Sequence, residues 1–222
     1  MSGLTKVFVP VMRSRLAVFL IALACACGAA IADDVARFEG RIVLEWLDEI
    51  PFVAAMRMVE PFAFTQQDGT VWVVPAGGVV DGRAIPPLFV SVMGLPFDGG
   101  FRKTAVVYDY AAKDQKQSWQ DAQRMFFEGS ITEGILPIEA KVMYTLLNAT
   151  GSRWEVREAG TCFSQCHTGN SELVWRPVFD DEPVIALVSW VRQDDPSLEE
   201  IEQRVSGVIL HPGPHTFGYV RE

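Results

Sequence analysis

Fifteen residues, PAGGVVDGRAIPPLF from Pro75 to Phe89, hold three prolines and three glycines. Each proline fixes φ and removes an N–H donor, and each glycine reaches conformations that other residues avoid. The stretch therefore reads as one loop held in a single path, which separates the elements before it from those after it. Loops of this kind often carry sites, and they also simply cover cores.

Strands are expected ahead of the loop. RFEGRIVLEWL (37–47) reads as a strand entering the domain, and RMVEPFAFT (57–65) and TVWVV (70–74) flank QQDG, whose Asp68-Gly69 is a strong hairpin signal. Helices are expected after it. FRKTAVVYDYAAK (101–113) contains no breaker. SWQDAQRMFFEGS (118–130) puts Trp119, Ala122 and Phe126 on one face, with Ser118 as cap and Gly129 as stop. ILPIEAKVMYTLLNATG (135–151) has Pro137 in its first turn, Ile138, Val142 and Leu146 in register, and Asn148 and Gly151 at its end.

Beyond Gly151 the composition shifts. RWEVREAG, ELVWRPVF and EPVIALVSWVR read as strands, and DDPSLEEIEQRVSG (194–207) as a short helix capped by Asp195, with Pro196 first and Gly207 last. This order predicts an α+β fold: an antiparallel hairpin or sheet packed against a helical middle segment, followed by a strand-rich C-terminal extension.

The chain opens with Lys6, Arg13 and Arg15, then the apolar run LAVFLIALACACGAAIA (16–32), then Asp33 and Asp34. A basic leader, an apolar centre and an Ala30-Ile31-Ala32 ending predict a secretory signal over 1–32, cleaved after Ala32. At about 17 residues the run also reaches the shortest spanning length, so an uncleaved signal is the one route to a membrane. The expected organisation is signal 1–32, α+β domain 33–154 and extension 155–222, with a periplasmic or secreted destination. Cleavage removes three of the 19 basic residues and none of the 28 acidic ones, which leaves a net charge of −12. That argues against nucleic acid and anionic membrane surfaces as partners, since both require a positive face. A protein or small-molecule partner stays open.

The segments VPAGGVVDGRAIPPLF, AVVYDYAA and WQDAQRMFFEGSITEGILPIEAKVMYTLLNATGSRW, spread over about residues 60 to 154, resemble domain-of-unknown-function family 1353 of bacteria and tailed phages. Members typically show a VPAGF-TD-x-ASIP-R loop after a hairpin, an HD-x-L-Y helix, a second helix with an Asp, and a Tyr-containing helix. The resemblance carries over Asp81, Asp109 and Asp121. It departs at Val80, Ala84 and Tyr108, where the family prefers Thr, Ser and His. Three carboxylates without the imidazole lack the group that titrates near neutral pH, yet suit a hard cation such as calcium or magnesium. A cation-dependent hydrolase built on the three is one expectation. A polar network bonding the loop to two helices, through buried backbone or Arg83, Arg102 or Arg124, is the other.

The extension holds TCFSQCHTGN (161–170). Export makes a Cys162–Cys166 disulfide the first expectation. Cys162, Cys166 and His167 also form C-x-x-x-C-H, one residue longer than the usual haem c attachment spacing, with His211, His215 or a methionine as the further iron ligand. Cys162 and Cys166 with His211 and His215 make a third option, a zinc site. The sequence shows no P-loop, dinucleotide fingerprint, G-x-S-x-G or H-E-x-x-H. The reading it supports is an exported accessory or binding module, with the haem redox protein and the hydrolase as rivals.

Overall fold

A computed structural model describes residues 35–47, 55–154 and 181–210. The strand half begins with β1 (Arg37–Gly40), β2 (Leu44–Leu47), β3 (Ala55–Met58), β4 (Phe62–Thr65), β5 (Val71–Val74) and β6 (Val79–Val80). They form two three-stranded antiparallel sheets, in the orders β1-β4-β5 and β2-β3-β6. The single strand expected over 37–47 is thus two strands in two sheets. The break falls at Gly40, whose φ of +92° belongs to glycine, and a Cβ there would lie 2.7 Å from the Pro61 carbonyl oxygen. The segment 57–65 divides at the facing position, between Met58 and Phe62. Because β1 pairs with β4 and β2 with β3, the two sheets are halves of one bent antiparallel ribbon, bridged by Val59 N–H donating to Val43 C=O.

The hairpin forms where Asp68-Gly69 predicts it. Gly69 takes φ +86°, its N–H donates to Gln66 C=O, and Asp68 Oδ1 accepts from Thr70 N–H at 2.8 Å.

Helices follow as α1 (Pro87–Met93), α2 (Arg102–Asp114), α3 (Trp119–Thr132), α4 (Pro137–Thr150), α5 (Asp181–Asp194) and α6 (Leu198–Leu210). Ser118 caps α3 as expected, accepting from Asp121 N–H. Gly129 does not stop it. That glycine lies inside α3 because a Cβ there would fall 2.8 Å from Thr104 Oγ1 of α2, so its role is close helix packing. The turn after α3 uses Gly134 instead, at φ +93°.

The strand-rich extension is corrected at 181–194. EPVIALVSWVR is helical, with Val184, Leu187, Val188 and Val191 buried at spacings of three, one and three, the stripe of a helix laid against α4. A short apolar run rich in β-branched residues reads equally as a buried strand, and packing decides. Asp195 is not the cap of α6. It takes a left-handed φ of +46° and closes α5, its N–H donating to Val191 C=O. Ser197 caps α6 in a reciprocal box with Glu200, and Gly207 lies within the helix. Leu198, Ile201 and Val205 face inward as expected.

Phe89, Phe101, Tyr108 and Phe126 form the aromatic centre of the core, with Tyr108 and Phe126 edge to face at 5.4 Å. Among the described residues no helix is long and apolar enough to cross a membrane. The segment 1–34, which includes the expected signal, and the segments 48–54, 155–180 and 211–222 lie outside the described residues. With them lie the two strands expected over most of 153–179 and every cysteine and histidine of the disulfide, haem and zinc expectations.

Candidate functional site

The punctuated loop is pinned first by backbone. Gly77 N–H donates to Met58 C=O and Met58 N–H to Gly78 C=O, both at 2.8 Å, and β6 then pairs with Met56 and Arg57 of β3. Gly78 is required by close approach, since a Cβ there would lie 2.9 Å from the Tyr110 ring. Gly82 takes φ +73° and its C=O accepts from Ile85 N–H, which turns the chain into Pro86 and the Pro87 start of α1.

This path delivers Asp81 to α2. Asp109, fully buried on α2, receives the loop: Asp81 N–H donates to its Oδ2 at 2.8 Å and Ala84 N–H to its Oδ1 at 3.1 Å. One turn further along α2, Lys113 Nζ lies 2.8 Å from Asp109 Oδ2 and 2.8 Å from Asp81 Oδ1, and donates to Val79 C=O at 3.4 Å. Arg83 completes the group, with its N–H on Asp81 Oδ1 at 3.0 Å and its Nε on Oδ2 at 2.8 Å. Burial pushes the Asp81 carboxyl up, but the hydrogen bonds from Lys113 and Arg83 and the Lys113 charge outweigh it and hold Asp81 below the usual carboxylate range.

Chemically this is a closed ion-pair network. All four carboxylate oxygens already accept from the chain's own donors, and the ammonium occupies the point between the two carboxylates where a hard cation would bind. Asp121 makes its bonds elsewhere. It is exposed in the first turn of α3 and pairs with its cap, Ser118 Oγ, at 2.5 Å. The structure thus joins Asp81 with Asp109 and places Asp121 at a helix cap. Among the described residues no group of three or more His, Cys, Asp or Glu side chains is arranged to hold a metal ion. The three departures are buried: Val80 and Tyr108 fully, Ala84 at 7% exposure.

Of the arginines expected as partners, Arg83 pairs with Asp81, while Arg124 pairs with Glu202 at 2.8 Å. Lys113 was not foreseen, although its place four residues after Asp109 on a helix is a readable signal. Glu133 and Glu128 were also missed. Glu133 accepts from Lys103 N–H and Thr104 N–H at 2.9 Å and so caps α2 from the end of α3. Glu128 accepts from Gln66 and Gln67 and ties the hairpin to α3.

Residues 56–147, which carry the loop, β6 and α1 to α3 with most of α4, match the family described as Protein of unknown function (DUF1353). The matched segment therefore contains the whole Asp81–Asp109–Lys113 network. Among curated proteins the chain is similar to two of Sinorhizobium fredii (strain NBRC 101917 / NGR234). It is 33% identical to Uncharacterized protein y4jT over 47% of this chain and 31% of the relative, and 27% identical to Uncharacterized protein y4iH over 49% and 46%. The match thus spans less than half the length of either relative. No solved structure matches the chain.

Proposed function

We propose that this chain is an exported, non-catalytic binding module in which Asp81, Asp109 and Lys113 fasten the 75–89 loop to α2. The observation that carries the reading is the Lys113 ammonium, 2.8 Å from an oxygen of each carboxylate. A hard cation needs the point between the two carboxylates, and here the chain's own ammonium stands there. The leader over 1–32, the acidic balance and the Cys162/Cys166 pair support a periplasmic or secreted setting with a disulfide.

The test is mass spectrometry and fractionation of the full chain expressed in a bacterium. The reading expects a protein released from the cytoplasm, shortened after Ala32, two hydrogens lighter than its reduced form, and unreactive to thiol reagents until reductant is added. A coloured protein heavier by one haem favours the redox alternative through Cys162, Cys166 and His167. Zinc lost to chelator favours Cys162, Cys166, His211 and His215. A catalytic activity abolished by Asp109→Asn without loss of stability restores the hydrolase.

A further inference from the structure

We draw no further inference here: the strongest candidate, the cleft of about 180 Å³ between the open edge of β5 and α2, carries nothing, because nothing in the structure shows what covers it and residues 155–180, which continue from Trp154 with its indole bonded to the C=O of the cleft-lining Gln117, lie outside the described residues.

Discussion

Lys113 stands one helical turn after Asp109, with its Nζ 2.8 Å from Asp109 Oδ2. The pair converts a helix surface into a receptor for a loop: Asp109 accepts two loop N–H groups, and Lys113 bonds the loop's own carboxylate, Asp81. In Asp109→Ala the Asp81 and Ala84 N–H groups lose their buried acceptor and Lys113 loses one of its two carboxylates. Losing such a partner costs roughly 2–4 kcal/mol. Urea unfolding should show this as a lower midpoint at an unchanged slope. Stability equal to wild type would contradict the fastener role.

Lys113→Met removes the positive charge and leaves two carboxylates facing each other. We expect a loss of roughly 1–3 kcal/mol. The variant should now respond to calcium, because open oxygens have replaced an internal cation. Thermal melting in chelator and in millimolar calcium checks both points: the variant should gain stability with calcium and wild type should not.

The pH dependence follows from Asp81. Its folded carboxyl titrates below the unfolded value of 3.8, so the network's contribution is present above that value and is lost as pH falls through the folded one. Stability should therefore fall as acid is added from about pH 5 downward, and Asp81→Asn should flatten that fall. An unchanged acid profile in the variant would show that Asp81 is not the group responsible.

Tyr144 sets the opposite limb. Burial, and then its bond to Glu202 of α6, raise its hydroxyl above the ordinary value of 10.0. The unfolded phenol ionises first, so this contribution holds below pH 10 and is lost as pH rises beyond it. Tyr144→Phe should lose stability at neutral pH but show a shallower alkaline decline. An identical alkaline limb in the two proteins would assign the decline to another group.

Gly129→Ala tests the packing of α2 on α3. The added methyl meets Thr104 Oγ1 at 2.8 Å, and that hydroxyl donates to Glu133 Oε2 at 2.7 Å. Overpacking at such a contact costs about 1–3 kcal/mol, against the roughly 1 kcal/mol that alanine's helix propensity returns, so a net loss is expected. A more stable variant in thermal melts would mean that the glycine is there for another reason.

The sequence made the hairpin, α3 and α4 legible because each had its own punctuation, Asp68-Gly69, Ser118 and Pro137, while α2 was legible only as a run without a breaker. It made Asp81 and Asp109 legible through the family resemblance, though not their direct contact, which spans 28 positions. Helix α5 was misread because valines and isoleucine in an uninterrupted run suit either element, and only the surface of α4 selects the helix. Glu133 and Glu128 had no local signal at all. Each acts on backbone N–H groups about 30 to 60 residues away, and such pairing is fixed by how helices and hairpin pack rather than by any spacing along the chain.

The central claim is that an internal ammonium closes the Asp81–Asp109 cluster, so wild type should neither need nor bind a divalent cation there. Isothermal titration of calcium and of magnesium into the chelator-treated full chain, repeated with Asp109→Asn, measures this directly. The account predicts no saturable heat in either protein at up to about 1 mM ion. A stoichiometric binding isotherm in wild type that vanishes in Asp109→Asn would contradict it.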